Sequence, residues 1–329
     1  MKIIVDAFGG DNAPLEIIKG CELAIQEYDI DIILTGNENI IKKTAEENGI
    51  SLDRMNIVHT DVIITPDDDA STVVKDKKDS SMGLGFQLLS KGEGDAFVSA
   101  GNSGALVMGS SLIIKRIKGV KRPAFAPIMP KAEGCFMLAD GGANNEVRPE
   151  MLQQFAIMGS IYMNKVMGID NPRVGLANVG TEEHKGCQLQ HDAYALLKNT
   201  PINFIGNVEG RDIPGNACEV LVTDGFNGNL ILKTYEGVAL EVMKKIKDIF
   251  KKNIKNKIAA AMIMGDLKIL AKEMDYNEYG GAAIMGVNKP VFKAHGSAKA
   301  KTMKNAIKLT KQFVEGNVVN EISKNIAEL

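Results

Sequence analysis

Five polar loops carry the residues of this sequence that are best suited to chemistry. Each loop is rich in glycine, asparagine or aspartate and follows a short apolar run of the kind that forms a buried strand. Backbone amides beside glycine, together with amide and hydroxyl side chains, suit the several acceptor oxygens of a phosphate group. The pattern therefore predicts a polar, anion-binding cleft built from residues 6–14, 101–105, 139–144, 178–186 and 223–229.

The first two loops resemble anion-binding turns without matching a nucleotide signature. Two glycines follow Asp6, and Pro14 stands at the start of a predicted helix, whose N-terminal amides suit an anion. Asn102 and Ser103 stand between two further glycines. The alternative is a plain strand-to-helix turn. Neither GxGxxG nor GxxxxGK[ST] occurs in these loops, so we expect neither a nicotinamide nor a nucleoside triphosphate.

The last two loops place a lysine and an amide, Lys185 and Asn229, where a transferring group could lie. The alternative for Lys185 is a solvated lysine at the start of a helix. His184, Cys187 and His191, in and just after the Lys185 loop, stand at helical spacing, but three mixed ligands without a fourth make a poor zinc site. A Cys–His acyl-enzyme pair is a further possibility, although nothing local favours Cys187 over a buried structural thiol.

Alternating strands and helices must position these loops. Predicted helices separate many of the apolar runs, which is typical of βαβ units in a mainly parallel α/β sheet covered on both faces. Ligands bind beyond the carboxyl ends of such strands, so we expect the five loops to meet along one sheet edge. The predicted strands are Ile3–Val5, Ile30–Thr35, Ile57–His59, Ala96–Ser99, Phe136–Ala139, Val174–Asn178, Asn203–Ile205 and Val220–Thr223.

The pattern changes at residues 235–275, where apolar residues recur at helical spacing among many lysines. We expect one or two long helices there, projecting from a single domain that spans residues 1–329. Seven lysines lie between Lys244 and Lys257, ahead of the apolar run Ile258–Met264. This composition suits the surface of an anionic membrane. The alternative is that the apolar stripe packs in a dimer interface and the lysines are merely solvated.

The composition excludes other classes of protein. Of 329 residues, 45% are hydrophobic and 24% are charged, as in an ordinary globular chain. The formal net charge of −2 argues against a nucleic-acid partner. Four cysteines without a CxxC pair indicate reduced thiols. The longest apolar run is far shorter than the roughly 20 residues of a membrane-spanning helix. We expect a soluble, cytoplasmic protein without a signal peptide.

The whole chain resembles the PlsX-type phosphate acyltransferases. The motifs that carry the resemblance occur in the order of that family: VDAFGGDNAP, KKDSSM, SAGNSGA, GTEEHKG, PINFIGNVEGRDI, DGFNGN, LKTYEG, YGGA and KAHGS. The resemblance implies a fold like those of isocitrate and isopropylmalate dehydrogenases and of phosphotransacetylase, in a homodimer. It also implies that an acyl group passes from acyl carrier protein to inorganic phosphate without metal or nucleotide, and that the acyl-phosphate feeds a membrane glycerol-3-phosphate acyltransferase in phospholipid synthesis.

Roles for individual residues follow from that reaction. Lys185 is expected to balance the charge of phosphate and of the oxyanion, and Asn229 to donate a hydrogen bond there. The candidates for holding phosphate are Gly10, Asn12, Asn102 and Ser103, with His59 and Asp140 as further candidates. The basic segment 115–122 is a candidate docking surface for the acidic carrier protein.

Three other functions stay open at this point. An acetyl- or butyryl-CoA phosphotransferase would use the same chemistry on the same fold. A scaffold that lies on membranes and has lost catalysis would share the lysine-rich segment but release no thiol. An NAD-dependent decarboxylating dehydrogenase is disfavoured because no metal-binding carboxylate cluster can be identified in the sequence.

Overall fold

The computed structural model describes residues 1–274 and 276–329, and its centre is an eleven-stranded sheet. The order of strands across the sheet is 3-2-1-4-11-10-5-6-9-7-8. In chain order the strands are β1 (Lys2–Asp6), β2 (Asp31–Gly36), β3 (Met55–His59), β4 (Ala96–Ser99), β5 (Ala124–Pro130), β6 (Cys135–Ala139), β7 (Arg173–Asn178), β8 (Asn203–Glu209), β9 (Val220–Val222), β10 (Gly281–Met285) and β11 (Val291–Ala294).

Helices connect these strands and cover the sheet. A π-helical turn (Ser110–Ile114) directly follows the α-helix Ser103–Gly109. The α-helices are α1 (Leu15–Tyr28), α2 (Glu38–Asn48), α3 (Ser81–Lys91), α4 (Ser103–Gly109), α5 (Pro149–Lys165), α6 (Gln188–Lys198), α7 (Gly225–Lys251), α8 (Ile254–Met262), α9 (Met264–Glu273), α10 (Ala300–Glu315) and α11 (Val318–Ala327).

The α/β fold class expected from the sequence is confirmed. All eight predicted strands are present, with ends that shift by a few residues, because β-branched runs bounded by turn residues are a reliable strand signal. β5 is not among the predicted strands. β10 and β11 lie in the segment after the lysine-rich helices.

The expectation that all five polar loops meet along one sheet edge is wrong. Strands β3, β2, β1, β4 and β11 run parallel to one another, and so do β6, β9, β7 and β8. Between these halves, β10 is antiparallel to β11 and β5, and β5 is antiparallel to β6. The two parallel halves therefore run in opposite directions. The loops after β1 and β4 lie at one edge, and those after β6, β7 and β9 at the other.

The lysine-rich segment begins earlier than the sequence pattern indicated. α7 starts at Gly225, ten residues before the predicted boundary, because Asp224 caps it by accepting a 2.9 Å hydrogen bond from the amide of Asn227. Two shorter helices, α8 and α9, complete the segment. Within the described part of the chain, no helix is both long and apolar enough to cross a membrane.

An ionic cluster links the end of β5 to the starts of β7 and β9, at the ends of β7 and β9 opposite their polar loops. The ammonium of Lys131 lies 2.9 Å from one carboxylate oxygen of Glu219, and the guanidinium of Arg173 lies 2.6 Å from the same oxygen. Burial alone raises the pKa of Glu219, but hydrogen bonds from Arg173 and Lys131 outweigh burial and lower that pKa to about 2. The ionised carboxylate therefore stabilises the fold.

We predict that Glu219→Gln lowers the free energy of unfolding at pH 7 by about 3 kcal/mol, because two cations lose their shared partner. The folded-state pKa lies below the unfolded value, so this stability is present above about pH 4.3 and is lost as the pH falls towards 2. Urea unfolding followed by circular dichroism at several pH values measures the difference. The control is Glu183→Gln in the exposed pair with Lys198, expected to cost less than about 0.5 kcal/mol. If the difference in free energy of unfolding between the wild type and Glu219→Gln does not change with pH, the ionic explanation is contradicted.

Candidate active site

A cleft of about 1080 Å³ crosses the face of the sheet between its two halves. Its floor includes residues of β5 and the start of β10, where the strand direction reverses. The loops after β1, β4 and β11 line one end of the cleft, and the loop after β6 and the first turns of α7 line the other. The cleft thus brings together polar loops from opposite edges of the sheet.

A buried carboxylate organises the end formed by β1 and β4. Asp6 accepts hydrogen bonds from the hydroxyl of Ser99 (2.8 Å) and from the amide of Phe8 (3.2 Å). The Ser99 oxygen in turn accepts a bond from the amide of Gly101 at 3.0 Å. Burial raises the pKa of Asp6, and these hydrogen bonds oppose that increase. The chain of bonds fixes the loop that leads into α4.

Asn102 and Ser103 both line the cleft, but the Asn102 side chain is occupied by the protein itself. Its amide oxygen caps α4 by accepting from the amide of Ala105 at 3.0 Å. Its amide nitrogen donates to the carbonyls of residues 65, 66 and 68. Asn102 therefore holds the 65–68 loop against the cleft, whereas Ser103 is exposed at the helix start. A direct contact of either residue with phosphate stays a prediction.

Gly10 and Asn12 connect the first loop to the loop after β11. Gly10 lines the cleft, while Asn12 lies behind it and donates to the carbonyls of Ser297 and Ala298 at 3.1 and 3.3 Å. The neighbouring amide of Asp11 donates to the Gly296 carbonyl at 2.8 Å. Asn12 therefore joins two loops that shape the cleft.

Asp140 supports the opposite end of the cleft from beneath. It is fully buried and accepts hydrogen bonds from the amides of Phe125, Gly142, Ala143 and Asn144 at 2.7–3.1 Å. Burial raises the pKa of Asp140, and the amide donors oppose that shift. The side chain does not line the cleft, but the 141–144 loop that it holds does.

Asn229 packs against the 141–144 loop. It belongs to the first turns of α7, whereas the glycines around it had indicated a loop. A Cβ built on Gly142, whose φ is +139°, would lie 3.0 Å from the Asn229 amide nitrogen. One residue earlier, a Cβ on Gly228 would lie 1.8 Å from the Asp140 carbonyl oxygen. Glycine at both positions lets α7 and the Asp140 loop approach closely enough to hold Asn229 in the cleft.

Lys185 and His59 do not line the cleft. Lys185 is half-buried in the loop after β7, with its stem over Gly180 and its carbonyl accepting a 3.0 Å bond from Asn178. The alternative was a solvated lysine at the start of a helix, but Lys185 lies in the loop before α6. That loop is at the same edge of the sheet as Asp140. His59 accepts a 3.1 Å bond from the amide of Glu38 at the far side of the sheet. The roles predicted for both stay predictions.

Cys187 is exposed and caps α6, and its thiol donates to the side chain of Gln190 at 2.8 Å. One ring nitrogen of His191 lies 2.9 Å from the carbonyl oxygen of His184. Within residues 1–274 and 276–329, no group of three or more histidine, cysteine or acidic side chains is placed to hold a metal ion.

Lys293 and His295 line the cleft but are not among the candidate residues predicted from the sequence. Lys293 is almost fully buried at the end of β11, and its ammonium donates to the carbonyls of Ala100 (3.0 Å) and Ala294 (2.6 Å). His295 lies 2.8 Å from the Ser297 hydroxyl, and burial lowers its pKa. The available signal was the KAHGS motif, which has the same strand-then-glycine pattern as the five loops.

The fold is an α/β architecture that several solved structures share. A phosphotransacetylase from Streptococcus pyogenes is similar over 96% of this chain and 94% of its own, with a TM-score of 0.63 and 16% identity. A 4-hydroxythreonine-4-phosphate dehydrogenase from Klebsiella pneumoniae is similar over 95% and 99%, with a TM-score of 0.54 and 12% identity. At such low identity these similarities establish the fold alone.

Sequence comparison establishes the family. The profile described as "Fatty acid synthesis protein" matches residues 1–321. The phosphate acyltransferase of Thermoanaerobacterium thermosaccharolyticum is 48% identical over 99% of this chain and 97% of its own length. That of Clostridium tetani is 45% identical over 100% and 99%. The chain therefore belongs to this family, the PlsX-type phosphate acyltransferases, and its activity is acyl transfer to phosphate.

We predict that Gly228→Ala lowers kcat/KM for acyl transfer by about 100-fold, because the new methyl displaces α7 from the Asp140 carbonyl and moves Asn229. Steady-state kinetics measures the change. The control is Gly237→Ala in the same helix, where the added Cβ meets no atom within 4 Å. It should keep full activity and gain up to about 1 kcal/mol of stability. Full activity in folded Gly228→Ala would mean that acyl transfer does not depend on the close contact between α7 and the Asp140 carbonyl that positions Asn229.

Proposed function

We propose that the chain transfers an acyl group from the thioester of acyl carrier protein to inorganic phosphate. The observation that carries this proposal is the dual character of the cleft. Polar loops surround its two ends, while an apolar wall of Ile63, Ile64, Val107, Met108 and Leu112 lies beside the 101–104 loop. An anionic acceptor and an acyl chain require such neighbouring surfaces.

The reaction requires no protein nucleophile. An oxygen of hydrogenphosphate attacks the thioester carbonyl carbon, so a carbon–oxygen bond forms and the carbon–sulfur bond breaks. The sulfur leaves with its electron pair and takes the proton that hydrogenphosphate gives up, which balances acyl-phosphate and free thiol. The enzyme must orient the two substrates and stabilise the oxyanion that develops on the carbonyl.

Within this proposal, Asn229 donates to the developing oxyanion and Lys185 balances negative charge. Asn229 is supported by its exposed position at the cleft end of α7, directly over Gly142. Lys185 is supported by its loop, which shares a sheet edge with the Asp140 loop through the parallel neighbours β6, β9 and β7. Its side chain lies outside the cleft lining, so Asn229 is the better supported of the two.

Acyl carrier protein is the proposed donor because a basic surface borders the cleft. Five cations between residues 115 and 122 are exposed, and Arg122 lines the cleft itself. Complementary charge increases the rate of association with an acidic partner. Coenzyme A is an alternative donor, and the distant phosphotransacetylase similarity, which establishes only the fold, does not favour it.

A homodimer is also part of the proposal. α7 exposes several large apolar side chains to water, and a second copy of the chain is a suitable cover for them. These side chains include Leu230, Val238, Leu240 and Val242.

We predict that the enzyme releases free thiol from long-chain acyl carrier protein only when phosphate is present, and faster than from the matching acyl-CoA. Asn229→Ala and Lys185→Ala should each lower kcat/KM by at least about 100-fold in folded protein. A thiol-reactive dye measures the release. Equal release without phosphate would overturn the function, preference for acyl-CoA would favour the alternative donor, and near-normal turnover in either variant would remove that residue from the mechanism.

We further propose that α8 and the adjoining end of α7 lie on the cytoplasmic face of the membrane. All seven lysines from Lys244 to Lys257 are exposed, as are Ile254, Ile258 and Met262. Lysines attract anionic headgroups by roughly 1 kcal/mol each, and apolar side chains on the same segment can enter the acyl boundary. Release there would pass an acyl-phosphate to a membrane glycerol-3-phosphate acyltransferase without exposing its chain to water.

We predict that the wild type floats with anionic liposomes at low salt and that the variant carrying Ile258→Glu and Ile263→Glu does not. The substitutions place two carboxylates on the apolar part of the segment, where anionic lipid repels them. The control is Ile40→Glu, an exposed isoleucine on α2. Density-gradient flotation measures the bound fraction. Equal flotation of all three proteins, or of none, would mean that this segment does not hold the enzyme on lipid.

A further inference from the structure

Two buried lysines of this chain differ in what surrounds their ammonium groups. Lys131 and Lys293 are 6% and 7% exposed. The ammonium of Lys131 donates to Asn216 at 2.8 Å, to the carbonyl of Cys218 at 3.0 Å and to the carboxylate of Glu219 at 2.9 Å. All three of its protons have acceptors, and one acceptor carries the balancing charge. Lys131 is therefore a structural cation.

Lys293 has a different set of acceptors. Its ammonium donates to two neutral carbonyls, those of Ala100 and Ala294. No carboxylate in the described part of the chain forms an ion pair with it. A buried charge without a partner is costly, so an ammonium in this setting favours an anion from outside the protein.

The position of Lys293 directs that anion to the cleft. Lys293 pairs with Ser99 across β11 and β4, and its bond to the Ala100 carbonyl places the ammonium beside the start of the 101–104 loop. Among the described residues, Lys293 shares the cleft lining with one other lysine, Lys233, which is already paired with Glu236 at 2.8 Å. Lys293 is thus the cleft lysine whose charge is available.

We propose that Lys293 binds the phosphate substrate directly, so that it is a catalytic residue of the acyl transfer. The two backbone carbonyls orient the ammonium and leave its remaining proton for a phosphate oxygen. Phosphate is held between this ammonium and the loop that follows β4. The proposal rests on the proposed function for the identity of the anion, and it adds the group that recognises that anion.

The charged groups around Lys293 are compatible with this role. Asp6 is buried and engaged with Ser99, and Asp11 is exposed, so water screens its charge. Among the described residues that line this part of the cleft, the other titratable groups are His295 and the Lys233–Glu236 pair. Burial lowers the pKa of Lys293 to about 8, against the opposing effect of Asp11 and Asp6. The ammonium is charged at pH 7 and loses its proton as the pH rises through about 8.

The first test compares phosphate saturation in the wild type, Lys293→Met and Lys293→Arg at saturating acyl carrier protein. Lys293→Met should raise KM for phosphate at least about 10-fold and leave KM for the acyl donor unchanged, because only the phosphate loses a charged partner. Lys293→Arg should restore most of the affinity. Between pH 7 and 9 the wild-type KM for phosphate should rise, whereas that of Lys293→Arg should stay level, because guanidinium keeps its proton.

The second test does not depend on turnover. Phosphate should raise the melting temperature of the wild type and not that of Lys293→Met. Without phosphate, Lys293→Met should melt no lower than the wild type, since it removes an uncompensated buried charge, whereas Lys131→Met should melt lower. This contrast separates binding from folding.

An unchanged KM for phosphate in folded Lys293→Met, or equal stabilisation of both proteins by phosphate, would overturn the role of Lys293. If Lys293→Met does not fold, a wild-type pH profile that Lys293→Arg reproduces would overturn it instead. If phosphate stabilises only the wild type but no thiol is released from any donor, the proposed acyl transfer fails and the anion site stands.

Discussion

The reversal of strand direction at β10 and β5 is the constraint on which the rest of this site depends. Each of these strands is antiparallel to both of its neighbours, so the parallel halves of the sheet point in opposite directions. In a fully parallel sheet, all strand-end loops would crowd one edge. Here the loops of the two halves lie at opposite edges, and the cleft crosses the sheet face between them. A ligand there is reached from both halves, which suits a reaction that joins two substrates.

The two halves hold their loops by the same physical device. Asp6 is the last residue of β1 and Asp140 follows β6, and both carboxylates are buried beneath the loops that come next. Burial raises the pKa of each, and hydrogen bonds from amides and hydroxyls favour the charged form. A buried carboxylate is tolerated only when its acceptor sites are filled, so the surrounding donors must adopt one arrangement. Each aspartate thereby gives a polar, glycine-rich loop a defined shape.

Local sequence signals were sufficient for most of the elements and insufficient where tertiary contacts decide. β-branched runs bounded by turn residues predicted eight strands, but Pro127 and Pro130 concealed β5, because proline lacks the donor that strands use. Glycines 225 and 228 indicated a loop around Asn229, yet they begin α7. Gly228 is required by its contact with the Asp140 carbonyl, and that contact joins residues far apart in the chain. The opposite directions of the two parallel halves of the sheet could not be predicted from the sequence either, since they depend on which strands pair.

For the candidate site residues, too, local sequence signals were informative and tertiary contacts were not predictable. Motif spacing correctly drew attention to the loops, but residue type did not reveal which side chains face the cleft. In the sequence Asn102 resembles a phosphate ligand, but its side-chain amide donates to the 65–68 loop. Lys131 and Lys293 are both lysines near strand ends and are buried to nearly the same degree. Only the acceptors around each ammonium separate them, a carboxylate for Lys131 and two neutral carbonyls for Lys293. A buried ammonium costs the fold less in the first arrangement than in the second. A lysine kept in the second arrangement is therefore explained by what enters the cleft, because the fold alone is better served by an apolar side chain.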